Sequence, residues 1–316
     1  MLDAIDPAPP SRLPPAASDA DAGAAKLLWT AGWDSTFRLL EALLVRGRVV
    51  QPYYLIDPER PSTPEELHAM QRVAAAVAAA HPGAARERLR DTRIWKGTDV
   101  RPDAEITARY LRLKARSHLG GQYDWLARFA AQQGLSDLEL AIHRDDRAHA
   151  FLEPHVVRDD CGGDPCYRLR DDPPDPDLRL FARFRFPVFD KTKRDMQREA
   201  ADFGFADLME LTWFCHVPTP DGRPCGRCNP CRYTIEEGLG RRVPLPGRLR
   251  YYRGRLLKQI KRPLRYAARL AGLITSSAPP GDPAPDLVTV PAANTVPTSP
   301  VADRNTQDGT LNLRTP

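Results

Sequence analysis

The stretch Leu27–Leu40, LLWTAGWDSTFRLL, decides how this chain reads. Leu27–Trp29 reads as a buried strand, and Ser35–Arg46 as a helix that stops at Gly47, a natural C-terminal residue. Between them lie a glycine, hydroxyls and a carboxylate, more chemistry than a plain connector needs. The first amides of a helix point outward unpaired, and its dipole favours negative charge there. Gly32 lets the backbone approach a ligand closely, while Thr30, Ser35 and Thr36 add hydroxyls. Asp34 would repel phosphate directly, so its role is through a magnesium ion or a bound water. Thr30, Ala31, Gly32, Trp33, Asp34, Ser35 and Thr36 are therefore candidate pyrophosphate-binding residues. The absence of Gly-Lys-Ser/Thr excludes the P-loop of common nucleotide hydrolases. The same residues also suit a plain capped turn, with Ser35 or Asp34 as the N-cap.

Working outward, Val49–Ile56 reads as a second strand ending at Asp57, with Pro52 arguing for an edge position. Thr63-Pro64-Glu65-Glu66 reads as a capping box opening an Ala-rich helix to about Ala80. Tyr123–Gln133 reads as a helix, Leu138–Ile142 as a strand, and Arg179–Val188 as an alternating strand. Thr192-Lys193-Arg194-Asp195 is a second capping box, opening a helix that stops at Gly204. Strands alternating with helices predict an α/β fold, a doubly wound and mostly parallel sheet. Such sheets bind ligands beyond the carboxyl ends of their strands, where the opening motif sits.

The two ends of the chain look unable to join a core. Residues 1–25 are more than half Ala and Pro, and residues 277–316 hold eight prolines and no aromatic residue. Both the first 25 residues and the tail from residue 274 read as disordered. No apolar run approaches the ~20 residues of a membrane span, and the proline-broken start with Asp3 and Asp6 is not a secretory signal. The expectation is a cytoplasmic protein with reduced thiols. Its net charge of +5 hides an asymmetry, because Leu239–Gly272 holds eleven Lys or Arg and no acidic residue. A mildly acidic body carries a basic arm.

The cysteines carry the second signal. Cys215, Cys225, Cys228 and Cys231 form C-x9-C-x2-C-x2-C, which matches a closed tetrahedral zinc site. Four thiolates leave no position for water, so the role of the zinc reads as structural. His216, beside the first ligand, reads as a neighbour. Cys161 and Cys166, in DDCGGDPCYR, read as plain thiols, with a second metal site as the alternative.

Together these motifs resemble a known family. TAGWDST is similar to the SGGxDS loop of N-type ATP pyrophosphatases, here with Thr30 for the serine and Ala31 for the first glycine. Thr192-Lys193, Leu211-Thr212-Trp213-Phe214-Cys215 and Cys225-Gly226-Arg227-Cys228-Asn229-Pro230-Cys231-Arg232 resemble the C-terminal part of 7-cyano-7-deazaguanine synthases. The resemblance covers about residues 26–240 and implies an adenine nucleotide alpha hydrolase-like fold with the zinc site at 215–231. It implies a ligase of queuosine biosynthesis that uses ATP with Mg2+ to adenylate 7-carboxy-7-deazaguanine or a related acid, then converts it with ammonia to the nitrile. Asp34, Ser35 and Lys193 would be catalytic, Lys193 neutralising phosphate charge, and Asp57 would lie near the adenosine. The family's Pro-Gly-Arg-Asn segment appears here as Leu119-Gly120-Gly121-Gln122-Tyr123, and its S-G-Y-P-D-C segment as HRDDRAHAFLEPH from His143 to His155. Asp145 and Asp146, in the latter, read as solvated turn residues, with binding of guanine-like N–H groups or magnesium as the alternative.

Two other readings stay open. One is a tRNA-modifying, thiolation-type enzyme, for which Cys161 and Cys166 are the spare thiols. The other is a non-catalytic, zinc-held binding protein with a degenerate loop. Residues 241–273 form the basic arm, and Leu249, Tyr252, Leu256, Ile260, Leu264 and Ala267 recur within it at helical spacing. Pro263 is expected to kink or divide its helix. The arm either docks its apolar stripe on the domain or, through residues 246–273, meets RNA, another anionic partner or an anionic membrane, with Tyr251, Tyr252 and Tyr266 available to stack on bases. A homodimer is compatible with all of these readings.

Overall fold

The computed structural model describes residues 23–117 and 119–270, with side chains as far as Leu257. The expectations for the first 22 residues and for the tail beyond 270 lie outside these. Two units divide the chain, residues 1–259 and 260–316. In the second, the described residues are helical, ending at Leu270.

Seven strands form one sheet. They are β1 (Ala25–Leu28), β2 (Val50–Ile56), β3 (Arg93–Lys96), β4 (Leu138–Glu139), β5 (Val156–Asp160), β6 (Pro165–Leu169) and β7 (Phe184–Phe186), in the order β3-β2-β1-β4-β7-β6-β5. The first five in that order are parallel, and the β5–β6 hairpin adds antiparallel to β7. The mixed α/β, mostly parallel sheet expected from the sequence is present, with Ala25 already in the first strand.

Strand residues alternate between two cores. Leu27, Trp29 and Tyr54 face α1 (Trp33–Leu40), α2 (Thr63–Ala80) and α7 (Lys193–Asp202). Leu28, Tyr53 and Leu55 face α4 (Ala104–Arg116) and α5 (Gln122–Gln132) on the other side. Covering both faces lets strands read as continuous apolar runs. The remaining α-helices among the described residues are α3 (Pro82–Arg88), α6 (Arg147–Leu152), α8 (Ala206–Met209), α9 (Asn229–Thr234) and α10 (Leu245–Leu270).

Several local expectations are corrected. The strand β2 is not at an edge, since it lies between β1 and β3. The amides of Ala25 and Trp29 donate to the carbonyls of Val49 and Tyr53, so Pro52 faces the other side, ahead of the first β3 residue, Arg93. Its missing N–H therefore interrupts no ladder. Thr63 does not cap α2; Ser62 stands at the N-cap, and its hydroxyl donates to buried Glu66, which also accepts from the Tyr54 hydroxyl. The strand expected at Arg179–Val188 begins only at Phe184. Pro176–Phe181 is a 3-10 turn capped by Asp175, burying Leu178 and Phe181 three residues apart. Likewise β4 stops at Glu139, because the Ile142 amide turns back onto the Leu140 carbonyl. Pro263 does not divide α10. The Thr192–Asp195 capping box forms as read.

One polar cluster crosses the core. Arg38 of α1 donates two hydrogen bonds to Glu139 of β4, at 2.7 and 2.9 Å, and one to Glu41 at 3.1 Å, and pairs with Asp164 of the hairpin turn at 3.0 Å. Arg46 and Arg48 complete a set of three arginines and three carboxylates. Burial works to lower the Arg38 pKa, but the surrounding carboxylates outweigh it and raise the value above the usual range. Removing one partner of such a cluster leaves uncompensated buried charge. Arg38→Ala should cost about 3–5 kcal/mol in a urea titration. Lys26→Ala should cost less than about 1 kcal/mol, because its partner Asp137 is 44% exposed.

Candidate functional site

The strands β1, β4 and β7 are neighbours, and the chain leaves β1 toward β2 on one side and β4 toward β7 on the other. This is the switch point at which a doubly wound sheet opens a crevice beyond its strand ends. Three segments leave the strands there and converge. Thr30–Asp34 follows β1, His143 follows β4, and Lys193 follows β7.

The first segment has an unusual backbone. Ala31 has φ +53°, and it alone among described non-glycine residues has positive φ. An L-residue in this left-handed region costs about 1–2 kcal/mol. Such strain persists where the surroundings fix it, and Ala31 is fully buried with its carbonyl accepting from the Trp213 amide at 2.8 Å. The position therefore takes the conformation that a glycine would adopt more freely. Gly32 is the N-cap of α1, and no side chain caps the helix start. A Cβ at Gly32 would sit 3.3 Å from the Thr30 hydroxyl. Neither Ser35 nor Asp34 acts as the cap that the plain-turn reading required.

Asp34 faces His143 Nε2 at 3.6 Å and Lys193 Nζ at 4.0 Å, while its second oxygen is buried without a partner. His143 Nδ1 accepts from the Asp145 amide, which places the ring proton on Nε2, toward Asp34. Lys193 also pairs with Glu237 at 2.9 Å, and its side chain is only 18% exposed. It is thus not a solvated helix-start lysine. Burial works to lower its pKa, but Asp34 and Glu237 outweigh that and raise it, so the ammonium stays charged.

Asp34, Lys193 and Glu237 line a cavity of about 170 Å³, with His143 behind Asp34. Its far wall comes from the cysteine segment and the stretch after it, through Trp213, Phe214, His216, Glu237 and Arg242. The Arg242 guanidinium lies 5.2 Å from the Trp33 ring centroid and 5.1 Å from that of Phe214, between two aromatic faces. It donates to the carbonyl and hydroxyl of Thr212, and burial lowers its pKa to about 10. Burial, with Arg60 nearby, also lowers the His216 pKa.

The four cysteines form one cluster, with all four sulfurs within 4.8 Å of one another. Cys215 and Cys228 are 3.8 Å apart, and Cys225 and Cys231 3.9 Å. A tetrahedron with Zn–S bonds of ~2.3 Å has edges of about 3.8 Å, so the donor set fits zinc. As bare thiols they compete for protons. Hydrogen bonding with Cys228 pushes Cys215 to about 12, and hydrogen bonding with Cys215 holds Cys228 below the thiol range. A divalent cation resolves that competition. Three of the four are buried, and the amides of Cys225, Arg227 and Cys228 point at sulfur.

Of the loop residues, Thr30, Gly32, Trp33 and Asp34 line the cavity, while Ala31, Ser35 and Thr36 lie behind it. The Thr36 hydroxyl accepts from Trp29 Nε1 inside the core. Asp57 is not on the cavity wall; its carboxylate accepts from the Glu59 amide and faces Arg60. Asp146 caps α6 by accepting from the Ala148 amide. Cys161 and Cys166 are not free thiols but a disulfide with Cα atoms 5.9 Å apart. The segment read as a loop is the β5–β6 hairpin, whose pairing of Asp160 with Pro165 brings the two cysteines together. Sequence reasoning missed His143, Glu237 and Arg242, and set His216 aside. Glu237, Arg242 and His216 line the cavity and His143 faces Asp34, all through contacts distant in sequence that no local pattern signals.

The protein is thus a mixed α/β chain with a cleft at the switch point of its sheet and a four-cysteine cluster, able to hold metal, in the segment whose Trp213, Phe214 and His216 line the cleft. No family model matches it. Over 46 residues it is 46% identical to the 7-cyano-7-deazaguanine synthase of Rhizorhabdus wittichii. That match covers 15% of this chain and 19% of the relative, so it points toward that family without placing the chain in it.

Purified protein should contain stoichiometric zinc by elemental analysis, and Cys228→Ser should lower occupancy below half. Stripping the metal with a chelator should lower the Tm by about 5 °C or more. Metal-free wild type with an unchanged Tm would contradict this assignment.

Proposed function

We propose that this chain is an ATP-dependent carbon–nitrogen ligase of the 7-cyano-7-deazaguanine synthase kind, activating the carboxylate of a deazapurine acid or a related acid. The observation that carries this reading is the convergence of the uncapped α1 start, Asp34, Lys193 and the residues flanking the cysteines on one cleft. The short identity with a synthase of that name supports it.

Carboxylate is a poor electrophile because oxide leaves badly. When its oxygen attacks the α-phosphorus of ATP, pyrophosphate departs, and the acyl carbon gains a leaving group that ammonia can displace. The α1 amides and the Thr30 hydroxyl would hold the terminal phosphates. Lys193, kept charged by its neighbours, would neutralise charge developing on the phosphates. The unpartnered oxygen of Asp34 would hold a magnesium ion, which would supply positive charge to offset that of the phosphates. Arg242, held between two aromatic faces, would pair with the incoming carboxylate.

The cleft of about 170 Å³ is small beside the ~300–1,000 Å³ of typical ligand pockets. Nucleotide entry then requires the wall segment Ile235–Arg242 to shift and the Lys193–Glu237 pair to open. A degenerate binding module would leave that pair closed. The thiolation alternative loses its spare thiols, because Cys161 and Cys166 are bonded to each other and lie off the cleft wall.

Incubation with labelled ATP, ammonium and candidate acids should yield AMP and pyrophosphate only when an acid is present. Release of ADP, or no heat on titration with magnesium ATP, would remove the reading. Lys193→Gln should lower turnover by about 100-fold or more, with the zinc content unchanged.

A further inference from the structure

The helix α10 carries its apolar stripe outward. Leu245, Leu249, Tyr252 and Leu256 follow one another at steps of four, three and four residues, so they lie on one helix face. They are 59, 60, 54 and 57% exposed. Of the two readings of the stripe, these four residues depart from the one that docks it on the domain; the side chains of Ile260, Leu264 and Ala267 lie outside the described residues. The opposite face docks instead. Gly247 packs so closely on Gly226 of the cysteine knuckle that a Cβ at Gly226 would strike the Gly247 backbone. Tyr251 is buried and donates to Glu236, and Arg250 donates to the Cys225 carbonyl. Tyr251 is therefore not available to stack on bases, and the Tyr266 side chain lies outside the described residues.

We propose that the outward face of Leu245–Leu257 is a docking surface for an anionic lipid bilayer. Three observations choose this occupant. First, the stripe is aliphatic with one tyrosine, and Arg253 and Arg255 stand exposed beside it. Apolar residues on one side with arginines at the flanks are the composition of helices that lie in the membrane interface. Second, the whole Leu239–Gly272 stretch holds eleven Lys or Arg and no acidic residue, so a second copy on this face would bring like charges together. Third, the docked side of the helix is occupied by the knuckle, so a partner cannot wrap the helix and must meet it as a plane. RNA offers the negative charge but no aliphatic surface for the leucines, whereas an anionic bilayer offers both. Among the described residues no helix is long and apolar enough to cross a membrane, so this contact is peripheral. The inference does not depend on the proposed enzymatic activity.

The full chain is sedimented with vesicles of phosphatidylcholine alone and with vesicles containing about one-third phosphatidylserine. Binding is expected only to the anionic vesicles, weakening as salt screens the arginines. Leu249→Asp combined with Leu256→Asp should reduce it by more than about tenfold. Both side chains are solvent-exposed, so unchanged circular dichroism and zinc content would confirm that the variant folds. No vesicle binding, equal binding to neutral vesicles, or undiminished binding by the double variant would each overturn the proposal. A dimer abolished by the double variant, without vesicle binding, would overturn it in favour of a second copy of the chain. RNA binding indifferent to these substitutions, without vesicle binding, would overturn it in favour of nucleic acid.

Discussion

Arg38 is the fixed point of the molecule. It sits one turn into the helix that opens with the TAGWDST loop, and its guanidinium grips Glu139 of β4 in a two-pronged hydrogen bond. Charged groups this deeply buried tolerate few arrangements, because any displacement leaves a carboxylate or guanidinium without its partner. The pair therefore seats α1 against the sheet in one register. It joins β1, whose end bears the loop, to β4, whose end bears His143. Asp164 extends the same cluster into the β5–β6 hairpin, where Arg48 also donates to the Cys161 carbonyl. Helix α1, strand β4 and the hairpin thus share one largely buried cluster of three arginines and three carboxylates.

The cleft is built out from that anchor. The Ala31 carbonyl accepts from the Trp213 amide, linking the strained turn to the segment that leads into the first cysteine. Trp213 donates through its indole to the Cys215 carbonyl, so the knuckle is tied to the same turn. The knuckle in turn supports α9 and the segment carrying Glu237 and Arg242. A structural metal here would do more than hold four thiolates; it would fix the wall that faces Asp34 and Lys193. Through the contact of Gly226 with Gly247 it would also set the direction in which the basic helix presents its leucines.

Much of the core was legible in the sequence because its signals are local. A strand, a glycine turn and a helix follow within fourteen residues of Leu27–Leu40. The cysteine spacing encodes a tetrahedron directly, and Thr192 with Asp195 forms its capping box within one turn. Elsewhere the structure departs from the local reading. The sequence points to Thr63 as the cap of α2, but the demand of buried Glu66 for hydrogen bonds is met by the Ser62 hydroxyl, and Ser62 stands at the N-cap. The alternating apolar residues from Arg179 read as strand throughout, but Asp175 caps a 3-10 turn that takes in Pro176–Phe181.

The sequence by itself determined the α/β class, the position of the glycine turn that opens α1 and the four thiols able to hold a metal. Each rests on spacing within one or two elements. Only the tertiary structure decided which side chains meet across the cleft, that Cys161 and Cys166 pair, and which face of α10 is left in solvent. Those outcomes depend on strand order, hairpin register and helix rotation about its axis. These are fixed by packing among residues tens or hundreds of positions apart, as the separation of Asp34 from Lys193 and Arg242 shows. A periodic pattern reveals that a helix has an apolar face; the close backbone contact at Gly226 and Gly247 decides where that face points.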